Sequence, residues 1–268
     1  MAASDKTGKA LAGLRVLVTR PAHQAENLCA LLEQAGAVPV RFPTIEIAPP
    51  LNPQALEDII NRLDRFDYAV FVSTNAVERA MKLIQARRGA LPPKLVAVCV
   101  GSASAMMLTR FGAQNILHPS ERTDSEGLLA LPALQKVGGR RIVIFRGDGG
   151  RELIADTLVA RGATVEHAEC YRRARPASDP TSIATMLRRA QLDMAVATST
   201  EALRNLYDML DDDARAALRQ TPLVVISERL REYGRTLGWR GAIQVGDTAS
   251  DEAIVRAIQT WRESQKNL

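Results

Sequence analysis

The sequence predicts an α/β protein of two similar lobes, each built on a doubly wound parallel sheet. Three observations lead there. Short β-branched apolar runs alternate with amphipathic segments along the whole chain. The runs LVAVCV (95–100) and LVVIS (223–227) suit strands buried on both faces, as in a parallel sheet. Residues 67–76, DYAVFVSTNA, return at 193–202 as DMAVATSTEA, with six of ten positions identical at an offset of 193 − 67 = 126.

That offset holds without a gap. RVLVTR (15–20) lies over RIVIFR (141–146), Glu26 over Glu152, Gly36-Ala37 over Gly162-Ala163, Val98 over Val224, Gly112 over Gly238 and Glu126 over Glu252. A period this long marks a duplicated domain rather than a solenoid. In the first copy the pattern predicts strands at 14–19, 37–42, 67–72, 95–100 and 114–117. Helices fill 22–35, 53–64, 74–87, 102–111 and 125–135. In the second copy strands fall near 141–146, 164–169, 193–198, 222–227 and 242–245, with helices between and after them. Each copy thus has five strands, joined by right-handed crossovers.

Bulk composition narrows the class. The 268 residues are 46% hydrophobic and 24% charged, ordinary values for a folded globular chain. No run of about eighteen apolar residues is present, so a membrane-spanning helix is not expected, and the N-terminus lacks the apolar stretch of a signal peptide. Cys29, Cys99 and Cys170 share no CxxC spacing and read as thiols of a reduced, cytoplasmic protein. The net charge of +5 fits nucleic acid, a small polyanionic substrate, or no particular ligand at all. Nucleic acid is a poor candidate: aromatic residues are 4%, and the densest basic run is RRAR at 172–175. His23, His118 and His167 lack metal-ligand spacing, so no metal site is expected. GxGxxG and GxxxxGK[ST] are both absent, which argues against a nucleotide cofactor.

In open parallel sheets, ligands bind beyond the carboxyl ends of the strands, where helix N-termini also point. There the first copy offers Thr19-Arg20, Ser73-Thr74-Asn75 and Gly101-Ser102-Ala103-Ser104. The second offers Arg146-Gly147-Asp148-Gly149-Gly150-Arg151, Thr198-Ser199-Thr200 and Ser227. Each Ser or Thr taken singly reads as a helix cap. As a set, with Arg20 and Arg146 at equivalent places, they point to anion binding.

After the second strand of each copy the next helix is delayed, by RFPTIEIAPP (41–50) and AECYRRARP (168–176). These occupy the same place in the two copies, since 171 − 45 = 126, and each is long enough to bridge two lobes. Tyr171, beside Arg172, Arg173 and Arg175, either packs as an ordinary linker residue or donates a proton or hydrogen bond.

LRVLVTRP (14–21), FVSTNAV (71–77), VGSASA (100–105), SEGLL (125–129), FRGDGGRE (145–152) and ECYRR (169–173) come in an order that resembles the uroporphyrinogen-III synthase family. The likeness covers essentially the whole chain. It implies two flavodoxin-like lobes joined by two extended linkers. Residues 1–41 would join 176–268 in lobe one, and 48–167 would form lobe two, with 42–47 and 168–175 as linkers. The repeat alone would instead divide the chain near residue 138.

The resemblance further implies a cofactor-independent lyase acting on hydroxymethylbilane, a linear tetrapyrrole with eight carboxylates. Loss of the terminal hydroxyl as water and inversion of the last pyrrole ring would give uroporphyrinogen III. The implied protein is a monomer that receives its substrate from hydroxymethylbilane synthase. Tyr171 matches the family's linker tyrosine, which is proposed to help the hydroxyl leave. Ser104 stands where relatives often have Thr. Ser227 keeps a hydroxyl, although Glu228 and Arg229 depart from the family pattern. Substrate contacts are expected from Arg20, Ser73, Thr74, Ser102, Ser104, Arg146, Gly147, Gly149, Gly150, Arg151, Thr198, Ser199, Thr200 and Ser227. The alternative is a two-lobed small-anion binding or sensor protein without catalysis, which would explain duplication and hinge equally well.

Overall fold

The computed structural model describes residues 10–150, 152–248 and 250–266. The first copy of the repeat runs β1 (Arg15–Val18), α1 (Glu26–Gln34), β2 (Val38–Arg41), β3 (Glu46–Ala48), α2 (Pro53–Asn61) and β4 (Tyr68–Phe71). It continues with α3 (Thr74–Arg88), β5 (Val96–Cys99), α4 (Ser102–Arg110), β6 (Ile116–Leu117) and α5 (Ser125–Leu129). The second runs β7 (Arg141–Gly147), α6 (Leu153–Ala160), β8 (Thr164–Ala174), α7 (Thr181–Arg188), β9 (Met194–Ala197) and α8 (Thr200–Met209). It ends with α9 (Asp212–Gln220), β10 (Leu223–Val225), α10 (Glu228–Thr236), β11 (Ile243–Val245) and α11 (Asp251–Lys266).

The chain divides into two compact units, residues 1–46 with 174–268 and residues 47–173. The first unit has a sheet in the order β11-β10-β9-β1-β2, the second in the order β3-β8-β7-β4-β5-β6. At the offset of 126, β1, β2, β4, β5 and β6 correspond to β7, β8, β9, β10 and β11. Each sheet therefore takes its first two strands from one copy and its last three from the other. Both have the flavodoxin-like strand order 2-1-3-4-5, with β3 added at one edge of the second. The reason a cut near residue 138 does not describe the units lies in strand pairing. β1 pairs in parallel with β9, Leu17 opposite Ala195, and β7 with β4, Phe145 opposite Phe71. The rings of Phe71 and Phe145 stack with centroids 4.8 Å apart.

Strand alternation fills a core on each face of each sheet. In the first unit Leu17, Ala195, Ala197, Leu223 and Val225 pack to one side, and Val16, Val18, Met194, Val196 and Val224 to the other. In the second, Ala69, Phe71, Ala97, Val143 and Phe145 face one core, and Val70, Val98, Ile142 and Ile144 the other. Each fully buried Leu, Val or Phe contributes about 1.5–3 kcal/mol.

The duplicated stretch has a local cause at each end. Asp67 Oδ2 accepts the backbone N–H of Arg141 at 2.9 Å, and Asp193 Oδ2 accepts that of Arg15 at 2.7 Å. Each aspartate thereby pins the first residue of the neighbouring strand. At the other end Ser73 caps α3, its Oγ accepting from Ala76 N at 3.1 Å, and Ser199 caps α8, accepting from Ala202 N at 3.0 Å.

Several expected elements differ in extent. The helix expected over 125–135 stops at Leu129 and resumes as a 3-10 turn over Pro132–Leu134, because Leu131 before the proline is held extended. The segment 41–50 contributes the short strand β3. Residues 168–174 continue β8 and remain paired with β7 as far as Tyr171.

Candidate active site

β7 and β4 are the central neighbours at which the strand order reverses, the place where an open α/β sheet leaves a crevice at its carboxyl edge. A cavity of about 240 Å³ opens there, with Ser73, Ser125, Arg146, Gly147, His167 and Tyr171 in its wall. Gly149, Gly150 and the first turn of α6 complete that side. Ser73 caps α3 and Ser125 opens α5, so two helix N-termini border this space, ends that favour anionic groups; that of α5 already carries the carboxylate of its cap, Asp124. The volume is below the roughly 300–1,000 Å³ usual for a whole small-molecule ligand. It suits one portion of a larger one.

Tyr171 reaches this place through a bulge. Arg146 pairs with Glu169 and Gly147 with Tyr171, so Cys170 is one extra residue on β8. Asp148 closes the irregularity: its N–H donates to Tyr171 O at 2.9 Å, and its Oδ1 accepts from Arg173 N at 3.0 Å. Tyr171 is 3% exposed, and its hydroxyl lies 3.1 Å from Ser73 Oγ. Burial pushes the neighbouring Cys170 thiol up, and its Sγ donates to Ala168 O at 3.2 Å. That thiol stays protonated and belongs to the core.

Arg146 is 7% exposed. Its Nη1 donates to Glu152 Oε1 at 2.8 Å, and its Nη2 donates to the carbonyl of Gly149. His167 stands beside it, Nδ1 at 3.5 Å from Arg146 Nη1 and Nε2 at 3.5 Å from Glu152 Oε2. Gly149 and Gly150 turn around the guanidinium with φ of 64° and 106°, in the left-handed region that favours glycine. The guanidinium orders this turn, and the turn in part fills its hydrogen-bonding capacity.

Of the residues singled out in the sequence, Ser73, Arg146, Gly147, Gly149, Gly150 and Tyr171 line this cavity together. Thr74, the first residue of α3, is half-buried and outside the lining. Ser102 opens α4 exposed, Ser104 is buried two residues further on, and neither is in the cavity wall. Arg151 lies outside the described residues. Arg20, Thr198, Ser199, Thr200 and Ser227 belong to the other unit. There Arg20 pairs with Asp251, whose other oxygen accepts from Asn27 Nδ2 at 2.7 Å. Thr198 and Thr200 flank the capping Ser199, and Ser227 caps α10 through Leu230 N at 3.3 Å.

Ser125 and His167 are not among the expected site residues. Ser125 follows a loop after β6 instead of a strand end, and His167 shows in the sequence only as a histidine without metal-ligand spacing. The repeat does carry a signal for Ser125: it aligns with Asp251 (125 + 126 = 251), which holds Arg20 in the other unit.

Comparison with known proteins places this chain in a family. The family described as Uroporphyrinogen-III synthase HemD matches residues 26–255. The uroporphyrinogen-III synthase of Escherichia coli (strain K12) is 37% identical over 247 residues, covering 92% of this chain and 100% of the relative. That of Salmonella typhimurium (strain LT2) is 35% identical over 249 residues, with 92% and 100% covered. Among solved structures, uroporphyrinogen-III synthetase from Helicobacter pylori aligns with a TM-score of 0.58 at 11% identity, covering 92% of this chain and 99% of that one. A mutant uroporphyrinogen III synthase from Thermus thermophilus aligns with a TM-score of 0.57 at 19% identity, covering 92% and 100%. At such identities the structures speak for the fold, while the sequence matches extend over nearly the whole chain. The chain therefore belongs to the uroporphyrinogen-III synthase family.

Proposed function

We propose that this protein is a lyase that cyclises hydroxymethylbilane to uroporphyrinogen III, with loss of water and inversion of the last pyrrole ring, in tetrapyrrole and haem biosynthesis. The observation that carries the reading is the Tyr171 hydroxyl, 3.1 Å from Ser73 Oγ in a cavity bordered by helix amide ends. Family membership supplies the substrate. The phenol supplies a proton donor where the terminal hydroxyl must depart as water. Amide ends and hydroxyls suit the carboxylates of the bilane while presenting no strong nucleophile to an electrophilic azafulvene intermediate. The buried, protonated Cys170 fits the same requirement.

Cyclisation without inversion is the uncatalysed competitor, so the task of the site is largely conformational. It must hold the last ring so that attack comes from its substituted carbon and passes through a spiro intermediate. A buried tyrosine on a bulged strand, beside a turn held by a buried arginine, is rigid enough to serve this purpose. The same reading has the protein act as a cytoplasmic monomer supplied by hydroxymethylbilane synthase, and its three buried free thiols fit a reducing compartment.

The test is isomer analysis. With hydroxymethylbilane generated in situ, the purified protein diverts product from the type I to the type III porphyrin isomer after oxidation. Type I alone would show the catalytic reading to be wrong.

A further inference from the structure

Ser73 stands with extended backbone at the end of β4, and its single hydroxyl serves two neighbours. It accepts the N–H of Ala76 at 3.1 Å and lies 3.1 Å from the hydroxyl of Tyr171. A serine hydroxyl has one proton and two lone pairs. With one lone pair committed to the cap, Ser73 can give its proton to Tyr171 Oη or accept the phenol's proton on its second lone pair. A hydroxyl that already accepts from an amide is polarised toward donating. Donation to Tyr171 Oη leaves the phenolic proton free to turn into the cavity.

The duplicated half acts as an internal control. Ser199, at 73 + 126 = 199, makes the same cap on α8. The residue equivalent to Tyr171 is Ile45, at 171 − 126 = 45, which has no hydroxyl. Capping therefore does not require the phenol, and the Ser73–Tyr171 contact is an addition made in one unit only.

We infer that Ser73 is a positioning residue for the reaction: it fixes the direction in which Tyr171 presents its proton. This rests on the proposed cyclisation, and it departs from the expectation that Ser73 serves as a substrate contact. The distinction has a kinetic signature. Removing a hydrogen bond to bound substrate raises KM, whereas misdirecting a proton donor lowers kcat.

The experiment compares the wild-type protein with Ser73→Gly, Ser73→Thr, Tyr171→Phe and the Ser73→Gly, Tyr171→Phe double variant. Glycine is tolerated at a helix N-cap almost as well as threonine, so Ser73→Gly removes the hydroxyl while sparing the helix. In the coupled isomer assay, Ser73→Gly lowers kcat about tenfold, the scale of one hydrogen bond, with KM within about twofold. Ser73→Thr restores the rate, and Ser73→Gly adds nothing on the Tyr171→Phe background. A raised KM with unchanged kcat overturns the inference, as do losses that multiply in the double variant or a failure of threonine to rescue. Urea midpoints of the same proteins read the hydroxyl pair without substrate. Non-additive midpoints in a protein that makes no type III isomer would mean that the reaction has been misassigned. Additive midpoints in an active protein would mean that the Ser73–Tyr171 pairing is wrong.

Discussion

A β-carbon placed on Gly147 would sit 2.6 Å from Cε2 and 2.7 Å from Cζ of Tyr171. Gly147 does not have a positive φ, so the need for glycine comes from this approach alone. Gly147→Ala must move the ring, and moving the ring moves the hydroxyl away from Ser73. We expect a stability loss of about 1–3 kcal/mol from overpacking and a fall in type III formation of at least roughly tenfold. Urea denaturation and the isomer assay measure the two effects. A variant of full activity would show that the ring can shift without consequence and that its placement is not what the reaction uses.

Tyr171→Phe keeps the ring and removes only the oxygen. With the proton donor gone, turnover should fall about a hundredfold, the lower range for one general acid, while substrate affinity changes much less. Steady-state kinetics with single-turnover binding measurements separate the two quantities. An unchanged rate would take Tyr171 out of catalysis.

Arg146 is expected to act through Glu152. Glu152→Ala leaves the buried guanidinium with Gly149 O but without its carboxylate, and removes the acceptor facing His167 Nε2. The Glu152 side chain is 53% exposed, so water replaces part of what is removed. The expected cost is about 1–2 kcal/mol, felt as a looser Gly149–Gly150 turn and a raised KM. Glu152→Gln keeps an oxygen acceptor and should lie between this variant and the wild-type protein. Equal KM values across all three proteins would disconnect the pair from substrate binding.

The legible and illegible parts of this protein divide along physical lines. Strand positions are readable because a strand buried on both faces must be continuously apolar, as LVAVCV is, and the repeat shows each strand twice. The repeat cannot say which copy each strand joins. That depends on Leu17 pairing with Ala195, a contact between residues far apart in sequence. In the site, residues that follow strands directly can be named from position alone. The bulge at Cys170 cannot, because it is set by pairing with β7, residues distant in sequence. Arg146 and Arg20 look equivalent in sequence, yet one is held by Glu152 and the other by Asp251, supplied by non-equivalent positions.

The aspartate that opens each duplicated stretch gives the fold a dependence on acid. Asp67 accepts from Arg141 N at 2.9 Å and from Arg140 Nη1 at 2.8 Å. The Arg141 amide first, and then the Arg140 guanidinium, hold its carboxyl below the usual range. A carboxyl depressed in the folded state binds fewer protons there than in the unfolded chain, so its contribution rises with pH. It is complete above the unfolded aspartate value of about 3.9 and is lost as pH falls through the lower native value. The side chain is 35% exposed, which discounts the effect. Asp67→Asn is therefore expected to cost about 1 kcal/mol at neutral pH. The gap between wild-type and variant urea midpoints should stay constant from pH 7 to about pH 5 and narrow below pH 4. A gap that widens on acidification would reverse the sign and mean that Asp67 holds its proton in the folded protein.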